Sequence, residues 1–397
     1  MSVRSDCTIA VYQPNFLSVS MTFIYRQLLG VADEFFPIVL TKKLANENLF
    51  PYPHIYVAGP SVLEDVYSRF LRRAAGHFGT MSRRGRDYCA RVLVENDARL
   101  VHAHFGSSGI EILPVAKSEG LPLLVTFHGA DASKFLESRS YVSKLRELFA
   151  YAHIIAVSKR MADELVALGA DEKRTFALYI GAPLEDFAFV DRKPVMAKKA
   201  DGETIHFLQV ANFIEKKGHA YTLRAFRDFS HFYPNCDLTL AGDGRLRSSM
   251  EQLCRELEIT DRVRFVGAVA KPEVIRLMNS ADVFLHHSVT AKDGNMEGIP
   301  TVLMEAMATG LIVFSTFHAG IPELINDGVS GFLVNERDVA GYSEKLIHCL
   351  EHSETVGQSA RETVSERFDL RKQNEKLKGV YRAVTEGAPS CRTESRG

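Results

Sequence analysis

The sequence predicts an α/β protein made of two doubly wound parallel-sheet domains. Three observations carry this. Short Val/Ile/Leu-rich runs alternate with longer helical stretches, the alternation expected of parallel strands covered by helices on both faces. The runs fall into two sets with a polar gap between them, which gives two Rossmann-like domains instead of one large sheet. Polar residues and glycines collect just after the runs, at the edge where open parallel sheets bind ligands.

In chain order the first set is CTIAVY (7–12), RLVHAHF (99–105), LLVTFHG (123–129) and HIIAVS (153–158). The second is TIHFLQVA (204–211), CDLTLAGDG (236–244), RVRFVGAV (262–269), ADVFLHH (281–287) and LIVFST (311–316). The segment AFVDRKPVMAKKADGET is polar, contains Pro and Gly and has no clear period, so 188–204 reads as a linker. The expected organisation is a first domain over 1–187, that linker, a second domain over 205–369, a final helix over 370–387 and a disordered tail over 388–397. With the two domains facing each other, both strand-end edges would line one cleft. The residues expected at those edges are Gln13, His104, His128, Gly129, Ser158, Asn212, Gly242, Asp243, Gly244, Gly267, His287 and Ser288.

Composition narrows the chemistry. The chain has 397 residues, is 46% hydrophobic and carries a net charge of −1, so bulk nucleic-acid binding is not expected. Six cysteines without a C-x-x-C pair fit a reducing compartment and argue against zinc or a disulfide framework. No apolar stretch approaches the roughly 18 residues of a membrane span, and the N-terminus lacks a secretory signal pattern. A soluble, cytosolic protein is expected.

The strand-end motifs can be tested against known chemistries. "AGDG" after a strand suggests a dinucleotide fingerprint, but Arg247 stands where the third glycine belongs, so hydride transfer is disfavoured. His102 and His104 share one strand face, as metal ligands would, yet no carboxylate cluster follows and a lone pair of histidines is more often core or cleft lining. No metal and no cofactor are expected.

The segment NMEGIPTVLMEAMATG (295–310) is more informative. Pro300 suits a first helical position, Thr301 to Ala308 are mostly good helix formers, and Gly310 reads as the stop. Glu297 then lies on the loop entering a helix, and the free amides of Gly298 to Val302 make an anion site. Glu305 lies on the helix among Leu303, Met304 and Met307, where a carboxylate calls for a partner such as a hydroxyl-rich ligand. The plainer reading is that Glu297 caps by charge and Glu305 faces solvent. Lys216-Lys217-Gly218 follows the first strand of the second set at a loop–helix junction, where a lysine can hold a phosphate. Together these residues sketch a nucleoside diphosphate site, with ribose on Glu305 and a sugar at Glu297.

Between Val66 and Arg86 the chain has six arginines, Arg69, Arg72, Arg73, Arg83, Arg84 and Arg86, no acidic residue, and Phe70, Leu71 and Phe78 interleaved. This is either a solvated helix face or a surface helix resting on anionic lipid.

The stretch DGNMEGIPTVLMEAMATGLIVFSTFHAGIPELINDGVSGFLV, with its E-x7-E spacing, G-I-P-E and D-G-x-x-G-F-L-V, resembles the retaining glycosyltransferases of family 4, which have the GT-B fold. The wording "HAHFG", "TFHGAD" and "DGNMEGIP" is most similar to bacterial exopolysaccharide enzymes of the colanic-acid type. The resemblance runs through nearly the whole chain and is strongest from Ala281 to Val334. It implies that Glu297 faces the transferred sugar, that Glu305 binds ribose hydroxyls, and that Gly298, Ile299, Pro300, Thr301 and Val302 hold the sugar and distal phosphate. It implies Lys217 on the diphosphate, with Asn212, Gly242 and Gly244 also on the donor side, and His128 at the donor sugar from the first domain. Gln13, Ser20, Thr22, His104 and Asp131 are expected on the acceptor side. The final helix, from about Leu370, would cross back onto the first domain.

Two departures stand out. The family usually has Arg five residues before the motif lysine, where this chain has Asn212, and polysaccharide members often read S-E-T-F where this chain has Ser20-Met21-Thr22-Phe23. The expected activity is metal-independent, retaining transfer of a hexose from a UDP- or GDP-linked donor to a lipid-linked or growing glycan. The protein would be cytoplasmic and peripheral on the inner face of the membrane. A non-catalytic nucleotide-sugar-binding protein and a sucrose- or trehalose-type transferase on a soluble acceptor are the alternatives.

Overall fold

The structure is a computed structural model, described over residues 7–16, 21–59, 81–350 and 355–386. The chain forms two compact units: one contains residues through Tyr179 and the C-terminal segment from Arg371, the other is Ile180–Leu370.

The strands of the first unit are β1 (Thr8–Tyr12), β2 (Asn15–Phe16), β3 (Phe36–Thr41), β4 (Lys43–Leu44), β5 (Ile55–Val57), β6 (Ala98–His104), β7 (Leu123–Phe127), β8 (His153–Ala156) and β9 (Thr175–Ala177). Seven of them form a fully parallel sheet in the order β5-β3-β1-β6-β7-β8-β9, and β2 pairs with β4 apart from it. The order reverses between β1 and β6, so the loops after these strands flank the switch point where doubly wound sheets bind ligands. Ile9 and Val11, two residues apart on one face of β1, join two different core clusters. Ile9 packs with Leu100, Leu124 and Ile155, while Val11 packs with Val39 and with Ile24 and Leu28 of the helix Thr22–Gly30.

Strand β3 was not expected, because Pro37 interrupts its apolar run. It is tolerated because β5 pairs only with Val39 to Thr41, so no neighbour on that side needs an N–H from residue 37.

The C-terminal helix Leu370–Thr385 belongs with the first unit. Leu377, Tyr381 and Val384 join the core of Ile9 and Leu100. Lys378 reaches Asp33 at 2.7 Å, and Arg382 makes a bidentate pair with Glu34 at 2.5 and 2.7 Å. The tail 388–397 lies outside the described residues.

The second unit has β10 (Ile205–Val210), β11 (Cys236–Ala241), β12 (Val263–Gly267), β13 (Val283–Leu285), β14 (Ile312–Thr316) and β15 (Phe332–Val334), all parallel in the order β12-β11-β10-β13-β14-β15. Its switch point lies between β10 and β13. Phe207, Leu238, Leu240, Val283, Leu285 and Phe314 anchor its core beneath the helix His219–Phe232.

The stretch 188–204 is not an open linker. It contains the helix Val195–Ala200, and the Arg192 guanidinium is spent on the carbonyls of Met278, Ala281 and Thr309. Lys198 pairs with buried Asp282 at 2.8 Å. The polar composition that suggested a linker serves to fasten this segment to the second unit. Among the described residues no helix is long and apolar enough to cross a membrane.

Candidate functional site

At the carboxyl edge of the second sheet, β10 leads into a short 3₁₀ turn, Glu215–Lys217, and then into the helix His219–Phe232. Gly218 makes the junction at φ 62°, and a Cβ there would meet the His287 carbonyl oxygen at 1.7 Å, so only glycine fits between the turn and the end of β13. The turn is fixed by Gln209, whose Nε2 donates to the Lys217 carbonyl at 2.9 Å. Lys217 Nζ then lies 2.9 Å, and Lys216 Nζ 3.4 Å, from Oε1 of Glu297. Burial works against the Glu297 carboxylate, but Lys217 and Lys216 outweigh it and hold the carboxyl down at about 2. The same oxygen is shielded from solvent, with the two ammonium groups beside it.

Glu297 enters the helix Thr301–Ala308 through Gly298, Ile299 and Pro300. Pro300 is the N-cap residue, one position earlier than the sequence suggested, because its ψ of 120° is extended and not helical. No side chain caps this helix start, so its first amides keep their donor capacity. Glu305 is half-buried on the helix between buried Met304 and Ala306, and Gly310 ends the segment at φ 79°.

The loop 290–297 has no regular secondary structure and is held by side chains. Lys216 Nζ donates to Asn295 Oδ1 and the Met296 carbonyl, both at 3.3 Å. The Glu297 amide donates to His318 Nε2 at 3.1 Å, and His318 Nδ1 lies 2.6 Å from Glu336 Oε1. Glu336 also accepts from the Thr290 amide at 2.7 Å and its hydroxyl at 3.1 Å. These anchors, Lys216, His318 and Glu336, follow β10, β14 and β15, and the loop they hold follows β13, which lies between β10 and β14 in the sheet.

Gly242 and Gly244 serve backbone packing. A Cβ on Gly242 would lie 2.0 Å from the Ala211 carbonyl oxygen, and one on Gly244 2.8 Å from that of Phe213. They let the loop after β11 cross the loop carrying Asn212, with the Phe213 amide donating to the Asp243 carbonyl. Asn212 itself is exposed.

In the first unit, His104 and His128 come together at the carboxyl ends of β6 and β7, with His104 Nδ1 3.2 Å from His128 Nε2. The rings of Phe23 and Phe105 pack on His128 at 4.8 and 4.6 Å. His102, one step below, is saturated by Tyr381 Oη and Thr126 Oγ1, each at 2.7 Å. Burial depresses all three histidines, His102 and His128 to about 3.

Asp131 was expected to face an acceptor, and its surroundings assign it a different task. It is fully buried, and its carboxylate accepts from the amides of Gly106 at 2.9 Å, His128 at 3.0 Å and Gly129 at 2.9 Å. It ties the HAHFG and TFHGAD loops to each other. Gln13 is likewise buried, with Oε1 accepting from Ser108 Oγ at 3.2 Å and Nε2 against the Met21 sulfur at 3.4 Å. Thr22 opens the helix Thr22–Gly30 and is partly exposed. Ser158 caps the helix Lys159–Ala167 by accepting from the Met161 amide. Ser20, Arg69, Arg72 and Arg73 lie outside the described residues, whereas Arg83, Arg84 and Arg86 are exposed on the first turn of the helix Arg83–Glu95.

Sequence reasoning missed His286, His318, Thr290 and Glu336. His286 is fully buried beside this site with neither ring nitrogen hydrogen-bonded. Taking FLV (332–334) as a strand would have placed Glu336 at the same edge as Glu297.

Comparison with known proteins agrees with this architecture. Residues 192–365 match the family described as Glycosyl transferases group 1, and residues 52–186 match Glycosyltransferase Family 4. The chain is 30% identical over 306 residues to the putative colanic acid biosynthesis glycosyltransferase WcaL of Salmonella typhimurium, covering 75% of this chain and 73% of that protein. It is 32% identical over 248 residues to the amylovoran biosynthesis glycosyltransferase AmsK of Erwinia amylovora, covering 62% of this chain and 59% of that protein. Among solved structures it is similar in fold to Anabaena HepE in complex with UDP and glucose, with a TM-score of 0.75 at 18% identity, covering 95% of this chain and 100% of that one. A sucrose-phosphate synthase from Thermosynechococcus elongatus gives a TM-score of 0.76 at 18% identity, covering 96% and 100%. With both family matches lying on its two parallel-sheet units, the chain belongs to glycosyltransferase family 4, with the GT-B fold, and is a glycosyltransferase of the exopolysaccharide-biosynthesis type.

Proposed function

We propose that this glycosyltransferase moves a hexose, with retention of configuration, from a UDP- or GDP-linked donor to a lipid-linked or growing polysaccharide. The observation that carries the reading is the buried Glu297 carboxylate held ionised by Lys217 and Lys216 beside an uncapped helix start. In this reading Lys217 and the amides of Gly298 to Val302 take the diphosphate, Glu305 takes the ribose hydroxyls, and Glu297 orients the sugar. His128 is assigned to the sugar as well. The bond from the sugar C1 to the phosphate oxygen breaks, the acceptor oxygen bonds C1 on the same face, and its proton passes to the departing phosphate oxygen. Cations and amides aimed at that oxygen stabilise the charge as it develops, with no metal ion needed. The UDP and glucose in the HepE crystals favour a uridine donor.

The decisive experiment is a thermal-shift screen of UDP-, GDP- and ADP-sugars, since a ligand that binds only the folded state raises its stability. One UDP- or GDP-sugar should stand out. Glu305→Ala should weaken the corresponding free nucleotide at least about tenfold, the worth of one charge-assisted hydrogen bond. Glu297→Ala and His128→Ala should lower turnover far more than nucleotide affinity. Unchanged nucleotide affinity in folded Glu305→Ala sinks the ribose assignment.

Asn212 supports a second reading, a non-catalytic nucleotide-sugar-binding protein, because the family's leaving-group arginine is missing there. A product assay separates the two. If transfer occurs, Asn212→Arg should preserve or raise it. The exposed Arg83, Arg84 and Arg86 support an anionic membrane as the place where the acceptor is met: they crowd a helix N-terminus with no acid in its first turn, an end where cations are disfavoured.

A further inference from the structure

We infer that His318 and Glu336 are a positioning pair that holds the Glu297 loop at both of its ends. The inference rests on the reading that Glu297 meets the donor sugar, and makes these two loop anchors determinants of sugar binding.

The hydrogen-bond roles at His318 are fixed by its partners. A backbone amide can only donate, so the 3.1 Å contact from Glu297 N requires a lone pair on His318 Nε2. A neutral imidazole then carries its proton on Nδ1, which points at Glu336 Oε1 at 2.6 Å. His318 is completely buried, so this arrangement is not diluted by water.

Glu336 is saturated in turn. Oε1 takes the His318 proton and the Thr290 hydroxyl, and Oε2 takes the Thr290 amide and, at 3.3 Å, the Arg337 guanidinium. One carboxylate therefore grips Thr290, where the loop begins, and reaches Glu297, where it ends, through one imidazole. Glu336 is itself placed by His287, whose Nε2 accepts the Arg337 amide at 3.0 Å, and the Arg337 guanidinium reaches back to the Thr290 carbonyl. A second tie runs alongside, from the Gly320 amide to the Gly298 carbonyl at 3.4 Å.

The seven residues from Thr290 to Met296 make no ladder or helix bonds, so the direction of the Glu297 side chain depends on these anchors. Lys216 and Lys217 set the charge state of Glu297, Lys216 also steadies Asn295 and Met296 in mid-loop, and His318 and Glu336 hold the two ends of the loop. A buried group supported by saturated hydrogen bonds is the arrangement expected where a site must be held to a fraction of an ångström.

The first measurement is a long-range proton–nitrogen spectrum of histidine-labelled protein, with the His318 signals assigned by their loss in His318→Gln. The Nδ1–H tautomer is expected, and an Nε2–H tautomer at His318 overturns the pair. The second measurement compares affinities for UDP-glucose against UDP, and for GDP-mannose against GDP, using whichever sugar raises the thermal midpoint more. Glu336→Gln keeps the shape but cannot serve the imidazole, the amide and the hydroxyl together. It and His318→Leu should weaken the nucleotide sugar about tenfold, equivalent to ~1.4 kcal/mol, while leaving the free nucleotide within about twofold. Glu336 is partly exposed, so its variant remains informative if His318→Leu fails to fold. Glu297→Gln serves as the control. If it leaves sugar affinity unchanged, the sugar-facing reading of Glu297 fails. If it weakens sugar binding while folded Glu336→Gln does not, the positioning inference fails. Equal loss for sugar and free nucleotide in Glu336→Gln also overturns it, because that marks general loosening.

Discussion

Oε1 of Glu297 and Nζ of Lys217 lie 2.9 Å apart at the carboxyl edge of the second sheet, and this ion pair decides the charge of the site. Its carboxyl is held near 2, against an ordinary value of 4.5. A depressed carboxylate adds stability that is complete above about 4.5 and is lost as pH falls from there toward about 2. Chemical unfolding of wild type and Glu297→Gln across this window should show the wild type losing an advantage on the order of 3 kcal/mol. A difference that does not change between pH 5 and pH 2.5 refutes the ion-pair account.

Buried neutral histidines should make the first unit sensitive to mild acid. His102 is held at about 3 by burial, while an unfolded histidine protonates near 6.5, so the unfolded state takes up protons first. Stability from this group is intact above 6.5 and declines as pH falls toward 3, by about 1.4 kcal/mol per pH unit. His104, depressed by the same cause, adds to the slope. Urea midpoints at pH 7.5, 6.0 and 5.0 should fall steadily, and a flat profile contradicts the burial of these rings.

Asp131→Asn should destabilise the first unit although it removes no bulk. The carboxylate receives three amides, and a carboxamide turns an NH2 toward one of them. A cost of roughly 2–3 kcal/mol is expected from losing charge-assisted bonds and opposing two donors. Denaturant unfolding measures it, and a change below about 0.5 kcal/mol, the range of an ordinary surface substitution, contradicts the locking role.

Gly242→Ala tests the crossing of the loops that follow β10 and β11. Its φ of 141° disfavours a side chain, and the new methyl would overlap the Ala211 carbonyl oxygen at 2.0 Å. Displacement of backbone should cost at least about 2 kcal/mol and carry the Asn212 loop with it. A thermal scan with and without nucleotide reports both effects, and a variant equal to wild type in stability and nucleotide binding removes this account.

Membrane binding should depend on the arginine run. At about 1 kcal/mol per basic residue near an anionic surface, co-sedimentation should require anionic lipid and weaken as salt rises. Replacing Arg69, Arg72, Arg73, Arg83, Arg84 and Arg86 with Gln should release the protein without loss of nucleotide binding. Wild type that ignores anionic vesicles at low salt reduces the run to a solvated face.

The sequence by itself determined the two parallel sheets, because buried parallel strands are nearly continuous apolar runs and nine of them were legible. It also made Glu297, Lys217 and the helix after Pro300 legible, since glycine, proline and charge at a strand-to-helix junction are local signals. Strand β3 was hidden by Pro37, which is harmless only because β5 starts two residues further along its partner. The segment 188–204 looked like a linker until Arg192 met three carbonyls more than 80 residues away in sequence. Only the tertiary structure decided what Asp131, His318 and Glu336 do. Their partners come from loops and neighbouring strands brought together by sheet order, and no spacing rule in one dimension reports which carboxylate is consumed by backbone amides.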